Sequence, residues 1–259
     1  MNDDVVGSYW DRNAHLWARQ VRAGYDTYRE YYNTPAFVAF IGDISGRTVL
    51  DAGCGEGYNT RIFARSGANL TGVDVSEQMI ELARDEEARE PLGIRYEVSS
   101  VNDLSLFTAD SFDMIVSTMA LMDCADYNGA IAEFARVLRP GGTLAFSVTH
   151  PCFANDPREW HRDEDGNACE LVTGPYRQSP RVVEWSFGAA PGYEREPFTV
   201  PVFSRTLTEY FNPLAPNGFC LERLLEPEPT EKACQKEPRL RKHKCFPQSM
   251  MVMARLGGK

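Results

Sequence analysis

The chain has 259 residues, 43% of them hydrophobic, which is ample for one α/β domain with a substantial core. Asp and Glu number 37 against 27 Lys and Arg, and the resulting charge of −10 repels phosphate backbones and disfavours nucleic acid as a main partner. No run of ~18 apolar residues, no basic and apolar leader, and 7 Cys without a CxxC pair argue against a transmembrane helix, a secretory signal and a disulfide or zinc framework.

In chain order, residues 8–42 read as helical and aromatic, with Tyr9, Trp10, Trp17, Tyr25 and Tyr28 in close succession. Gly42 to Gly46 breaks that pattern, and Thr48 to Asp51 reads as a short buried strand running into a Gly-rich turn and a helix. A second strand spans Asn69 to Val73, followed by an amphipathic helix from Ser76 to Glu87 with Met79, Ile80, Leu82 and Ala83 on its apolar face. Ile94 to Val98 and Phe112 to Ser117 are the third and fourth strands. Ala130 to Leu138 is a helix stopped by Pro140-Gly141-Gly142, and Thr143 to Val148 is the fifth strand. Strands alternating with helices predict a parallel sheet covered on both faces.

From Pro151 to Arg205 the regularity disappears, and the stretch is rich in Pro, Gly and aromatics, among them Trp160, Tyr176, Trp185 and Tyr193. Thr206 with Glu209 then has the spacing of a capping box opening a helix to about Leu214. Phe219 to Leu225 and Met250 to Leu256 read as the last two strands. The one dense basic run, Arg239 to Lys244, reads as a solvated face.

The informative stretch is Val49-Leu50-Asp51-Ala52-Gly53-Cys54-Gly55-Glu56-Gly57. A strand running into GxGxG lets the backbone turn sharply and approach a ligand beyond the carboxyl end of the sheet. Asp74, one strand over, is placed to accept hydrogen bonds from both hydroxyls of an adenosine ribose. The spacing is not the GxGxxG of a pyrophosphate loop, and Asp51 beside the first Gly would repel a pyrophosphate. The same charge suits the ammonium and sulfonium side of S-adenosylmethionine, and the balance favours that cofactor over a nicotinamide dinucleotide.

With Gly72-Val73-Asp74-Val75-Ser76, Asp110-Ser111-Phe112-Asp113 and Arg136-Val137-Leu138-Arg139-Pro140-Gly141-Gly142 in the matching order, the stretch from Val49 to Val148 resembles the class I S-adenosylmethionine-dependent methyltransferases. The resemblance implies an α/β, Rossmann-like, seven-stranded, mostly parallel sheet with helices on both faces, an N-terminal helical lid and an irregular insert after strand five. It divides a single domain into a lid (1–45), a cofactor core (46–150), a substrate-side insert (151–205) and a C-terminal helix with the last two strands (206–259). By position, Gly53, Gly55 and Gly57 pass under the cofactor, Asp51 lies near its amino group, and Asp74 binds the ribose. Val75 and Met79 lie against the adenine, Val101 belongs to the stretch after the third strand, and Ser117 and Met119 face the methionine part; Met79 and Val101 read equally as core residues. Ser100 stands where the family usually has an acid reading the adenine amino group, with Asn102 or a backbone group as its replacement.

On the substrate side, His150, directly after the fifth strand, is the candidate base because its side chain titrates near neutrality; the alternative is a His that hydrogen-bonds the loop and holds the turn before Pro151. Tyr9, Trp17 and Tyr25 are lid candidates, Arg29 is a candidate partner for an anionic substrate, and Trp160, Tyr176 or Trp185 would roof the pocket. The implied activity is methyl transfer to an O or N atom of a small or medium-sized molecule, leaving S-adenosylhomocysteine. The implied protein is a cytoplasmic monomer or homodimer with no metal and no membrane partner. The rivals are a cofactor-modifying enzyme and a non-catalytic regulatory protein that keeps the cofactor site.

Overall fold

A computed structural model describes residues 1–187 and 196–258. Helix α1 (Asp3–Arg22) begins earlier than the sequence pattern suggests, because the Asn2 side chain accepts from the Val5 amide (3.2 Å) and Asp3 and Asp4 favour the first turn electrostatically. It ends at Ala23, and a π-helical turn (Arg29–Asn33) leads into α2 (Thr34–Ile41), so residues 8–42 are two helices and a joint, not one rod.

There follow β1 (Thr48–Ala52), α3 (Tyr58–Arg65), β2 (Asn69–Asp74), α4 (Glu77–Arg89), β3 (Arg95–Val98), β4 (Phe112–Thr118), α5 (Tyr127–Val137) and β5 (Leu138–Thr149). The Ser76 hydroxyl caps α4 at the Met79 amide (3.1 Å), and Met79, Ile80 and Ala83 are its buried face, as expected. Helix α5 stops at Val137, ahead of Pro140, since the residue before a proline is pushed out of helical geometry, and the Pro-Gly-Gly turn enters β5 instead.

The insert is a correction to the expected irregular stretch. It folds as two antiparallel hairpins, β6 (Glu159–Arg162) with β7 (Ala168–Val172), and β8 (Arg181–Trp185) with β9 (Phe198–Val202). The first turns on Asp163, whose Oδ1 accepts from the amides of Asp165 (3.1 Å) and Asn167 (2.8 Å). Tyr193 lies outside the described residues. Helix α6 (Leu207–Phe211) has the capping box read from the sequence, and β10 (Phe219–Leu225), α7 (Glu231–Lys236), a 3-10 turn (Pro238–Lys244) and β11 (Ser249–Leu256) complete the chain.

The sheet order is β10-β11-β5-β4-β1-β2-β3, with β1 to β5 parallel and β11 antiparallel to both neighbours. Strand β1 is buried on both faces, so its alternation splits between two cores. Leu50 joins Ile115, Phe134 and Phe146 on one side, and Val49 joins Phe37, Phe63 and Ile80 on the other. No helix among the described residues is long and apolar enough to cross a membrane.

Candidate functional site

The carboxyl ends of β1, β2 and β4 open on a cavity of about 700 Å³, lined by Gly53, Gly55, Asp74, Val75, Met79, Ser100, Val101 and Met119 of the expected cofactor residues. At Gly55 the backbone is left-handed (φ 54°) and an added Cβ would meet nothing within 4 Å, so its α-carbon faces open space. Gly53 and Gly57 are packed instead, against Ala120 and against the Tyr96 hydroxyl. The Asp74 carboxylate holds the turn by accepting from the amides of Gly55 and Ser76, each at 2.9 Å. Burial pushes its pKa up to about 6 against the pull of those two amides.

Asp51 does not line the cavity and is fully buried behind the glycine turn. Its Oδ2 accepts from the Thr60 hydroxyl (2.6 Å), while its Oδ1 has no partner among the described residues. Burial, reinforced by Asp74 and Glu56, raises it to about 7. The open α-carbon face of Gly55, the Asp74 carboxylate in the lining and the buried acid of Asp51 behind the turn are the features that fit a cationic, adenosine-bearing cofactor. Ser117 is a correction to the expected contacts: its hydroxyl donates to the Ala52 carbonyl (2.7 Å) and ties β4 to β1. Gly57 and Asn102 also lie outside the lining.

Ser100 has a partner that no local pattern revealed. Its hydroxyl lies 2.5 Å from Asp3 Oδ2 and 2.8 Å from Asn102 Oδ1, so the first turn of α1 brings a carboxylate to the place where Ser100 leaves none. Helix α1 is held there because Asp11 accepts from the Ser76 hydroxyl (2.7 Å) and the Gln78 amide (3.1 Å), and Gly7 lies against the Val75 backbone. Trp17 packs on Trp185, Phe187 and Phe198 at 5.8, 5.0 and 5.6 Å, fastening α1 to the β8–β9 hairpin and closing the roof.

Trp17, Tyr25 and Arg29 line the cavity, as does Trp10, which replaces the expected Tyr9; that ring lies under Arg12 instead (4.5 Å). Trp160 and Trp185 are in the lining and Tyr176 is not, its hydroxyl accepting from the Leu207 amide (2.7 Å). Arg29 is paired within the chain, with Glu56 (3.0 Å) and Asp26 (3.7 Å), and stacks on Tyr58 (4.0 Å), which occupies its charge. His150 is also engaged: Nε2 bonds Glu226 (2.7 Å) and Nδ1 accepts from the Cys152 amide (3.1 Å). It is 3% exposed and outside the lining, and burial lowers its pKa. Of its two expected roles, these contacts fit the one that holds the turn before Pro151.

The titratable group that does reach the cavity near β4 is Asp123. It is half-buried, its carboxylate accepts no hydrogen bond among the described residues, and burial raises it to about 8 against the nearby Arg205. Arg205 itself holds the turn below, donating to the carbonyls of Leu121 (3.1 Å), Cys124 and Ala125 (3.3 Å). An acidic residue a few places beyond the fourth strand was the available sequence signal.

Residues 50–146 match a family described as a methyltransferase domain. A malonyl-[acyl-carrier protein] O-methyltransferase of Pectobacterium atrosepticum is 36% identical over 127 residues, 48% of each chain. A ubiquinone biosynthesis O-methyltransferase of Xanthomonas oryzae is 35% identical over 106 residues, 41% of this chain and 44% of that one. The chain thus spans just under half the length of the curated relatives it matches. A solved S-adenosylmethionine-dependent methyltransferase of Mesorhizobium loti superposes with a TM-score of 0.69 at 29% identity, over 85% of this chain and 96% of that one. The glycine turn, the acid ending β2 and the sheet order agree with these matches: residues 50–146 are similar to a methyltransferase domain, and the fold is that of the solved S-adenosylmethionine-dependent methyltransferase.

Proposed function

We propose that the protein transfers a methyl group from S-adenosylmethionine to an oxygen or nitrogen atom of a small or medium-sized molecule, acting in the cytoplasm as a monomer or homodimer. The observation that carries this reading is one cavity that joins Gly55 and Asp74 at one end to Asp123 and an aromatic roof. The cofactor supplies an activated methyl carbon, so the chain's task is to align, desolvate and deprotonate the acceptor.

Asp74 accepts from the ribose hydroxyls, Asp51 lies behind the turn as counter-charge to the amino group, and Val75, Met79 and Val101 pack on the adenine. Asp3, held by Ser100, supplies the carboxylate that reads the adenine amino group. Trp17 and Trp185 exclude water from above. Asp123 takes the proton that an O–H or N–H acceptor must lose, its pKa of about 8 keeping the carboxylate basic enough to do so near neutral pH.

The test is incubation with cofactor labelled in its methyl group and a panel of small hydroxylated and aminated molecules. Label in a product supports the reading. Tight cofactor binding with no transfer to any acceptor would favour a non-catalytic role.

A further inference from the structure

The basic run at Arg239–Lys244 turns inward. Pro238 opens a 3-10 turn in which residues three apart share a face, so Leu240 and His243 are buried together while Arg239 and Lys242 share the next edge. Arg239, Lys242 and His243 line the same cavity as Gly55, together with Arg158 and Trp160 from the insert and Gln248 ahead of β11.

Lys242 is half-buried, and its ammonium lies 4.5 Å from the centre of the Trp160 ring with no carboxylate partner among the described residues. Its charged neighbours include Arg158, Arg162 and Arg239, and the carboxylate beside it, Glu237, already accepts from Arg239 (2.6 Å) and the Thr27 hydroxyl (2.8 Å). Burial first, and then these cations, push Lys242 down to about 8. Arg158 commits its Nε to Asp156 (2.8 Å), and its terminal nitrogens have no partner among the described residues. Two further neighbours are uncharged near neutral pH: burial holds His243 at about 4 and Tyr28 at about 12. Gln248 Oε1 is buried without a partner among the described residues. A chain of charge −10 thus gathers Arg158, Arg239 and Lys242 at one end of this cavity, and among the described residues Lys242 is the one of the three without a carboxylate partner.

That end lies beside the segment leading into β11, which stands four strands across the sheet from β2 and its Asp74. We propose that it is the recognition subsite of the methyl acceptor and that it takes a carboxylate on a planar apolar body, with Lys242 and Arg158 on the charge, Trp160 on the ring and Gln248 accepting a ligand N–H or O–H. This rests on the methyltransferase reading above.

The test titrates benzoate, benzamide and inorganic phosphate into the full chain saturated with S-adenosylhomocysteine, as wild type, Lys242→Met and Lys242→Arg. Benzoate binds wild type about tenfold or more tighter than benzamide, Lys242→Met loses about tenfold, and Lys242→Arg keeps most of the affinity. S-adenosylhomocysteine affinity stays within about twofold in all three. Benzamide equal to benzoate, phosphate binding alone, no binding of any probe, or undiminished benzoate binding by Lys242→Met each overturns the inference. A collapse of S-adenosylhomocysteine affinity in Lys242→Met assigns the lysine to the cofactor's own carboxylate and overturns it as well. Failure of wild type to bind S-adenosylhomocysteine removes the methyltransferase reading and this subsite with it.

Discussion

Asp51→Asn sets the stability of the cofactor-free protein against its affinity for the cofactor. In the fold the Asp51 carboxyl is raised from 3.8 to about 7, chiefly by burial, so the group favours folding only below its unfolded value and progressively loses that contribution as pH rises through about 7. At pH 8 the ionised carboxylate costs ~4 kcal/mol, from ~1.4 kcal/mol for each tenfold change in proton affinity. An isosteric amide removes that cost but leaves a buried NH2 group without an acceptor, which takes back ~1–3 kcal/mol. The Thr60 hydroxyl keeps an acceptor in either case. The variant without cofactor therefore gains about 1–3 kcal/mol at pH 8, a rise of several degrees in Tm, and the gain fades at pH 5, where the wild-type group is protonated. Scanning calorimetry at the two pH values measures this. Titration with S-adenosylmethionine at pH 8 measures the other side, where loss of the counter-charge weakens binding about tenfold or more. A variant that is less stable than wild type at pH 8, or that binds the cofactor unchanged, refutes the reasoning.

Asp3→Asn weakens S-adenosylhomocysteine by about tenfold through loss of a charged hydrogen bond, yet leaves the inosine analogue, which lacks the adenine amino group, unaffected; equal losses for both ligands count against Asp3 as the adenine reader. Asp123→Asn lowers kcat by ~10²–10⁴, and because the carboxylate is the active form, the wild-type rate climbs with pH through about 8 while the variant's profile is flat. A rising limb that persists in the variant removes Asp123 from proton transfer. His150→Ala loses ~1–3 kcal/mol of stability from its two buried hydrogen bonds but keeps the turnover of the folded protein, and a dead but stable variant restores the histidine as a base.

The parts of the site that were legible in the sequence are those governed by local chemistry. Gly53 and Gly55, Asp74 at a strand end, the Ser76 cap and the Thr206 capping box each act within a few residues of themselves, and the structure has them where the pattern put them. Asp3 was not legible because its partner Ser100 lies 97 residues away and only the packing of α1 on the β2–α4 turn joins them. The hairpins of the insert are short and mostly exposed, so their alternation is weak, and composition alone reads as disorder of pattern. Lys242 was hidden for a different reason: a run of charges reads as a solvated face unless the turn that carries it is seen to point into a cavity. The two roles open to His150 could not be separated from sequence, because a sheet-edge position and a useful pKa range say nothing about Glu226, which arrives from a distant part of the chain to occupy its ring.

The central claim is tested most directly by calorimetric titration of S-adenosylmethionine and S-adenosylhomocysteine into wild type and Asp74→Ala. The account predicts micromolar binding of both by wild type and its loss in the variant, with the variant still folded. Absence of binding to folded wild type, or binding that survives the loss of Asp74, would contradict it.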